Sequence, residues 1–205
     1  MSRLSEKQVL VVDAASIVAR AARRIGHPAR WTKRYWALDG RGRVVRVDDP
    51  SAVRFCLVGA LLRAEHELHG SEIIYSDSRR DGPAVDPSFG PTRLAFGLLA
   101  HLARAQLEER GMRFSHATTG ESEPIEGCEA PPVVHPFDLP VLFNGFTGVG
   151  QADCLAMLIV AGHQLFLLND TPELLDLAIA DEALEGASPQ PAPEQPEAGS
   201  AGTPE

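Results

Sequence analysis

At 205 residues the chain is long enough to bury a hydrophobic core and too short for two full-sized domains. Apolar residues make up 44% and charged residues 23%, values typical of globular proteins, which argues against wholesale disorder and against a membrane protein. The formal net charge of -9 repels phosphate backbones, so nucleic acid is not expected as a partner.

Neither targeting signals nor a disulfide framework is evident. The longest apolar runs fall short of the ~18 residues that span a bilayer, and charges occupy the N-terminus where a signal peptide needs an apolar stretch. The cysteines, Cys56, Cys128 and Cys154, are three in number and widely spaced, which fits neither paired disulfides nor a zinc finger. We therefore expect a cytoplasmic protein with reduced thiols, no membrane segment, no metal and no cofactor.

The first predicted element is an amphipathic helix over residues 8–25, ended by Gly26 and Pro28. A buried strand over residues 9–13 is the alternative. Spacings of three and four define the apolar stripe of this helix, which comprises Val9, Val12, Ala15, Ala19, Ala22 and Ile25.

A small hairpin and a second helix follow. Residues 34–38 and 43–47 flank a glycine-containing turn at 39–42. Asp49-Pro50 is typical of a helix start, which predicts a helix over residues 50–68 capped by Asp49. Gly59 inside it indicates the close approach of another element. The predicted buried stripe comprises Val53, Leu57, Ala60, Leu61, Ala64 and Leu68.

The middle of the chain alternates loops with one helix. Residues 70–91 are broken by Gly-Pro and Asp-Pro pairs, which predicts a loop with a short strand at 72–75. Thr92 then caps a predicted helix that ends at Gly111, with apolar positions including Leu94, Leu99 and Leu107. Residues 112–140 again lack periodicity and are expected to be irregular.

The last third predicts a short strand at 141–143, a glycine-rich turn at 144–150 and a helix over 151–163 that buries Leu155, Leu158 and Ile159. Thr171-Pro172 starts a final helix over 171–184. Residues 186–205 form an acidic, proline-rich tail with little to bury, which predicts disorder.

Together these elements predict a mainly α fold: a compact bundle of about five helices with a small β-hairpin and long irregular loops. Residues 1–185 form a single helical domain in which 70–91 and 112–140 are loop insertions. The oligomeric state does not follow from the sequence.

Two residue groups invite a catalytic or metal-binding interpretation. Cys56 near a helix start could act as a nucleophile, but about two turns inside the predicted helix it lies beyond the reach of the dipole and is better explained as a buried apolar residue. His66 and His69 are three residues apart, whereas a zinc protease helix needs histidines four apart, so a polar helix end explains them better.

Two further features concern anions. The glycine-rich turn before Gln151 lacks the lysine of a phosphate-binding loop, and Asp153 can satisfy the free amides there, which favours a structural turn. A basic stretch from Arg20 to Arg46 is interleaved with aromatic residues. The favoured interpretation is a solvated face packed around structural aromatics, and the alternative is an anion-binding patch that comprises Arg30, Lys33, Arg34 and Arg43.

Two blocks resemble an uncharacterised helical domain family, a domain of unknown function found in bacteria and phages. Residues 48–64 contain the Cys-x-x-Gly-Ala-Leu helix motif, starting at Cys56 and following the tryptophans Trp31 and Trp36. Residues 143–158 are similar to a second block in which Trp-Asn-Asp precedes an apolar helix, with Gly145 in place of the usual acid. The resemblance covers about 8–68 and 141–162, and implies a helical fold in which the Cys56 helix meets the Asn144 turn. It implies no activity, and the intervening region looks like an addition.

The favoured hypothesis is a non-enzymatic domain that binds another protein or a small ligand, with the loops at 70–91 and 112–140 as its variable surface. The alternative is a cysteine-dependent hydrolase or transferase, with Cys56 as nucleophile, His66 or His69 as base and Asn144 as the residue that orients the base.

Overall fold

The computed structural model describes residues 5–71, 73–75, 83–84, 90–113 and 138–170. Predictions on the remaining residues lie outside this part, including the helix over 171–184, the tail, and most of the loops at 70–91 and 112–140. The described residues contain five α-helices and two small antiparallel sheets, which confirms the mainly α prediction.

Helix α1 (Glu6–Ile25) is the centre of the bundle and packs against three other helices: α2 (Leu57–His69), α3 (Gly90–Glu109) and α5 (Gln151–Asp170). Ser5 begins α1 with a capping box, in which the Ser5 hydroxyl accepts from the Gln8 amide and the Gln8 side chain accepts from the Ser5 amide. The strand alternative for residues 9–13 is therefore wrong.

The buried face of α1 contains Ile25 from the predicted stripe but otherwise differs from it. Val9 and Val12 are 45% and 41% exposed. The sequence carries two overlapping stripes of the same period, and the one that packs contains the larger pair Ile17 and Val18, which removes more apolar surface from water. The buried residues of α1 are Val11, Ala14, Ile17, Val18, Ala21 and Ile25.

The predicted hairpin is present in a short form after β1 (Ala37–Asp39): residues 43–45 pair back with β1, and the Val45 amide donates to the Ala37 carbonyl at 3.2 Å, but no regular strand forms over 43–47. The Asp39 amide donates to the Arg43 carbonyl and Gly42 adopts a φ of 80°. Past that turn, one isolated bridge joins Val44 to Leu38. The antiparallel partner of β1 is β2 (Ala52–Phe55), with Ala37 opposite Phe55.

This pairing corrects the predicted start of the second helix. Asp49 does not cap a helix, because its carboxylate accepts from the Ser51 amide at 2.7 Å and from the Ser51 hydroxyl, closing a turn. Residues 52–55 then form β2, and α2 begins seven residues later than residue 50, with Cys56 as its N-cap. Val53 is consequently 46% exposed and is not part of the buried stripe.

Gly59 lies in the first turn of α2, and the backbone at Trp36 passes directly against it. This position therefore requires a residue without a side chain. A Cβ at this position would lie 2.0 Å from the Trp36 carbonyl oxygen and 2.9 Å from the Trp36 carbonyl carbon. The Trp36 carbonyl also accepts from the Cys56 amide at 3.3 Å. The expectation that Gly59 marks a close approach is confirmed.

The remaining elements need three further corrections. Thr92 is buried within α3 and is not its cap, since α3 begins at Gly90. Residues 141–143 are not a strand but part of a short helix, α4 (Leu139–Gly145), with Pro140 in its first turn. Helix α5 continues to Asp170, since no glycine or proline interrupts it after Gly162. The predicted short strand is present as β3 (Ile74–Tyr75), paired with β4 (Pro83–Ala84).

Helix α5 runs antiparallel to α1, because Gln151 donates to the Ile25 carbonyl at one end and, further along, a Cβ on Gly162 would lie 3.7 Å from the Val18 side chain. Leu158 is buried as predicted, whereas Ile159 is 60% exposed and Leu155 is partly buried. The span Gln151–Asn169, with a mean hydropathy of 1.5, meets the length and composition required to cross a bilayer, unlike the sequence expectation. Core helices packed as this one is, with one face against α1, meet the same criteria.

Candidate functional site

Cys56 is the N-cap of α2, where its sulfur accepts from the Gly59 amide at 3.2 Å. It is 6% exposed. Burial raises the pKa of this thiol to about 11, because removing the thiolate from water outweighs the favourable amides of Gly59 and Val58. The expectation that it lies two turns inside the helix is wrong, whereas its burial was predicted. Its sulfur replaces the usual capping oxygen at the start of α2.

Asn144 joins three parts of the chain at this point. Its amide oxygen accepts from the Leu57 amide at 3.1 Å and from the Cys154 thiol at 3.5 Å, and its amide nitrogen donates to the Lys33 carbonyl at 2.7 Å. The residue is 4% exposed. The structure therefore brings Asn144 to the Cys56 end of α2, as the family resemblance implied, and satisfies it with backbone groups.

Cys154 belongs to the same cluster, and sequence reasoning gave it no role. It is fully buried in the first turn of α5. Burial, reinforced by the neighbouring Cys56 and Asp153, raises the pKa of its thiol to about 12. Cys154 bonds to the Asn144 amide and Cys56 caps α2 beside it, so these buried residues join α2, α4 and α5.

The histidines assigned to the cysteine enzyme lie elsewhere. His66 and His69 are in the last turn of α2, and ten residues of helix at ~1.5 Å rise place His66 roughly 15 Å from Cys56. His66 Nδ1 lies 2.9 Å from the Ser71 carbonyl oxygen, at the C-terminal end of the helix. The structure thus brings Cys56 and Asn144 together but leaves both histidines apart from them.

No metal site is found among the described residues, which contain no group of three or more His, Cys, Asp or Glu side chains suited to one ion. Cys128, His116 and His135, which are metal-ligand residue types in the predicted loop at 112–140, lie outside that part of the chain. At the turn before α5, Asp153 accepts from the Gly150 amide at 2.8 Å and pairs with Arg110 at 3.1 Å. The Gly150 amide and Arg110 lower the pKa of Asp153, so a carboxylate of the protein itself lies at the start of α5.

A different cluster forms an open cleft of about 390 Å³ between the end of α1, the short 3-10 turn (Pro28–Arg30), β2 and α2. Its apolar wall consists of Ala52, Val53 and Phe55, and Glu67 is its acidic residue. Four arginines line it: Arg20, Arg23, Arg24 and Arg30. Their positions in sequence showed a basic stretch, but the approach of β2 and α2 that makes a cleft was not visible from spacing.

Of the four arginines that line the cleft, Arg24 forms an ion pair with a described carboxylate and the other three do not. Glu67 bridges Arg24 and Arg63, with the Arg63 contact at 2.8 Å. Although partial burial pushes the pKa of Glu67 upward, the hydrogen bonds and charges of these two arginines outweigh it and lower that pKa. No described carboxylate forms an ion pair with Arg20, Arg23 or Arg30.

Arg24 is held in the wall of the cleft. Its guanidinium lies 5.0 Å from the centre of the Phe55 ring, a cation–π contact. Its Nε–H is buried and finds no hydrogen-bond acceptor among the described residues. An oxygen acceptor entering next to this group would satisfy a donor that otherwise carries a desolvation cost.

The anion patch predicted from the sequence is placed differently. Arg30 lines the cleft, and Arg34 is exposed outside it. The Lys33 ammonium group donates hydrogen bonds to the carbonyls of Phe146 and Val149 at 2.7 and 2.9 Å. Lys33 therefore holds the turn between α4 and α5. Arg43 donates to the Asp39 carboxylate at 2.7 Å.

Comparison with known proteins assigns a family but no activity. Residues 11–120, more than half of the chain, match the model described as Family of unknown function (DUF6197), and the chain belongs to that family. The match includes residues 69–120, which the sequence suggested were largely an addition, and it ends before the Asn144 block. No curated protein and no solved structure matches the chain significantly.

Proposed function

We propose that this member of the DUF6197 family is a non-enzymatic domain that binds a small anionic ligand in the arginine cleft. The single observation that carries the proposal is the cleft itself: four arginines line about 390 Å³, and three of them have no carboxylate partner in the described part of the chain. This volume falls within the ~300–1,000 Å³ typical of small-molecule sites.

The arginines favour a phosphate or a carboxylate as the charged group. The planar guanidinium donates two parallel hydrogen bonds to either anion, which adds geometric selectivity to charge attraction. Arg23 and Arg24 lie in the last turn of α1, where the helix dipole stabilises positive charge and so helps to hold like charges close together. The unsatisfied Nε–H of Arg24 supplies one further donor.

The opposite wall favours a ligand with an apolar part. Val53 is 46% exposed on β2, and Ala52 and Phe55 lie beside it. A ligand that combined an anionic group with a ring or short aliphatic portion would bury Val53 and pair with the arginines at once. The net charge of -9 over the whole chain disfavours a long polyanion, whereas a small ligand inside the cleft is screened from distant charges beyond ~8 Å.

The surroundings of Cys56 support a non-enzymatic protein over the cysteine-dependent alternative. A nucleophilic cysteine needs a lowered pKa or an adjacent base. Burial raises the pKa of Cys56 to about 11, and His66 lies roughly 15 Å away along α2. Asn144, the third residue of the hypothetical site, is engaged by backbone groups and Cys154.

The test uses 1-naphthyl phosphate, which carries both features, with inorganic phosphate and 1-naphthol as partial ligands. Titration calorimetry of the full chain is expected to show binding of naphthyl phosphate that weakens with added salt, and weaker binding of either part. Arg23→Gln combined with Arg30→Gln removes two arginines without breaking an ion pair described above. We expect this double variant to lose at least tenfold in affinity.

Arg34→Gln is the matched control, since Arg34 is an exposed arginine that does not line the cleft. It is expected to bind naphthyl phosphate like the parent. Equal binding by the double variant and the parent, with both folded by circular dichroism, would reject the arginine cleft as the site. Equal loss in the Arg34 variant would indicate attraction to general positive charge and would reject it as well.

A further inference from the structure

Glu67 is the one acidic side chain among the described residues that line the arginine cleft. Its side chain is 30% exposed, and two arginines hold its carboxylate. One oxygen accepts from Arg63 Nε at 2.8 Å, and the other accepts from Arg24 Nη2. Arg63 is itself fixed, because its Nη1 donates to the carbonyls of Val47 and Asp49, each at 3.1 Å. The carboxylate is therefore held at a defined place in the wall of the cleft.

We propose that Glu67 is a specificity-determining residue of the arginine cleft, and that it accepts a hydrogen bond from a hydroxyl group that the ligand carries beside its anionic group. This inference rests on the proposed function, since it concerns the ligand of that same cleft. It narrows the ligand from an organic anion to a hydroxylated one, such as a phosphate ester of a polyol.

The carboxylate of Glu67 has hydrogen-bonding capacity left for a ligand. An ionised carboxylate offers about four lone-pair sites, and the two arginines fill one on each oxygen. Although partial burial raises the pKa of Glu67, the hydrogen bonds and charges of Arg63 and Arg24 outweigh it and lower that pKa. Glu67 is thus ionised at neutral pH and only accepts hydrogen bonds, so a ligand group that binds to it must donate.

Charge around Glu67 favours a neutral donor over an ammonium group. Each carboxylate oxygen already lies beside a guanidinium, so an ammonium group at this point would be repelled by two like charges. A hydroxyl group adds no charge. Its hydrogen bond to an ionised acceptor is also stronger than one between two neutral groups.

An unpartnered donor beside Glu67 points to the same group. Arg24, which pairs with Glu67 through Nη2, has a buried Nε–H without an acceptor among the described residues. A hydroxyl group both donates and accepts, so its hydrogen can go to Glu67 while its oxygen accepts from Arg24. An ammonium group has no lone pair and leaves the Nε–H unsatisfied.

The same carboxylate directs the anionic group of the ligand to the other arginines. An anion placed at Arg24 would lie close to Glu67 and would be repelled by it. Arg20, Arg23 and Arg30 form no ion pair with a described carboxylate. The anionic group therefore belongs at these three arginines, and the hydroxyl group at Glu67.

The test compares glycerol 3-phosphate with propyl phosphate, which lacks the hydroxyl groups. Titration calorimetry measures both affinities for the full-length parent and for Glu67→Gln, which keeps the side-chain shape but loses the charge. The parent is expected to bind glycerol 3-phosphate about fivefold more tightly, the effect of a partly exposed hydrogen bond to a charged acceptor. In Glu67→Gln this preference should disappear, and propyl phosphate should bind more tightly because the repelling carboxylate is gone.

Glu108→Gln is the matched control. Glu108, like Glu67, accepts from an arginine four residues earlier on its helix, here Arg104 at 2.9 Å, but it lies on α3 outside the cleft. This variant should keep the preference of the parent. An unchanged preference in Glu67→Gln, folded by circular dichroism, would overturn the inference. Tighter binding of 3-aminopropyl phosphate than of glycerol 3-phosphate by the parent would also overturn it, in favour of an ammonium donor.

Failure of this inference is distinguishable from failure of the proposed function. If 1-naphthyl phosphate binds through Arg23 and Arg30 but the parent does not prefer glycerol 3-phosphate over propyl phosphate, the cleft is an anion site in which Glu67 does not select the ligand. If neither 1-naphthyl phosphate nor glycerol 3-phosphate binds in a way that depends on Arg23 and Arg30, the proposed function is rejected and this inference with it.

Discussion

The side-chain oxygen of Asn144 accepts the amide hydrogen of Leu57 at 3.1 Å, across 87 residues of chain. Leu57 is the first residue of α2, and its amide has no acceptor within the helix. Cys56 satisfies the Gly59 amide of the same turn through its sulfur. The start of α2 is thus completed by a residue from α4, which links the formation of the two helices.

Asn144→Ala tests this link. The substitution leaves the buried Leu57 amide without an acceptor and removes the donor to the Lys33 carbonyl, so we expect a loss of about 2–4 kcal/mol in the free energy of unfolding. Urea denaturation measures it. Gln106→Ala, which removes an exposed amide bonded to Glu109, is the control and should change that free energy by less than about 0.5 kcal/mol. A similar small change in Asn144→Ala would mean that water replaces the side chain.

Gly59→Ala should be strongly destabilising, although alanine is the better helix former. The added methyl would lie 2.0 Å from the Trp36 carbonyl oxygen, so β1 and α2 must separate, at an expected cost of about 3 kcal/mol or more in unfolding free energy. Gly145→Ala is the matched control, because nothing lies within 4 Å of its missing Cβ. Thermal unfolding of both variants gives the comparison, and equal midpoints would disprove the close approach.

Cys56 and Cys154 should resist a thiol probe in the native protein. Burial raises the pKa values of these thiols to about 11 and 12, so the reactive thiolate is scarce below pH 9 and the sulfurs are covered. In a Cys128→Ser background, labelling with dithionitrobenzoate between pH 5 and 9 is expected to proceed no faster than unfolding. Rapid labelling of Cys56, identified by comparison with Cys56→Ser, would contradict this prediction and support the hypothesis of a cysteine-dependent enzyme.

Asp153 should contribute to stability in a pH-dependent way. The Gly150 amide and Arg110 lower the pKa of Asp153 below its usual 3.8, so its contribution is present above about pH 4 and is lost as pH falls through the folded-state pKa. At pH 7 the free energy of unfolding of Asp153→Asn should therefore be about 1 kcal/mol below that of the parent. Between pH 5 and pH 3 the free energy of unfolding of the variant should fall less than that of the parent.

Asp13→Asn is the control for this prediction, since the described residues give Asp13 neither an amide contact nor an ion pair of this kind. Urea denaturation at pH 7, 5 and 3 measures the difference. Parallel pH curves for the parent and Asp153→Asn would show that the contacts at Gly150 and Arg110 do not influence folding.

The spacing of apolar residues predicted the helices well because it reflects local geometry. It failed where pairing between distant parts of the chain determines the secondary structure. Asp49-Pro50 is a sound local helix signal, yet residues 52–55 gain a sheet partner in β1 and a bridge from Trp31. Residues 141–143 are too few to show a period, so a strand and one helical turn look alike. In α1, two stripes of the same period were available, and contact with three helices selected the one containing Ile17.

The candidate site was partly predictable. The family resemblance correctly placed Asn144 near the Cys56 helix, a contact that spacing alone does not give. The basic stretch was recognised, but its members are distributed by the fold: Lys33 and Arg43 bind groups of the protein itself, and Arg30 joins the cleft. Which arginines share a cleft depends on β2 and α2 meeting the end of α1, and no local pattern encodes that.

The contact between Gly59 and Trp36 constrains the two positions unequally. Gly59 is fixed by its missing side chain, whereas Trp36 takes part through its backbone carbonyl, which every amino acid possesses. Position 59 should therefore be invariant as the family diverges, while position 36 is free of this constraint. An alignment column of unchanging glycine, three residues after the cap of α2, would then identify remote relatives that share this junction but little other similarity.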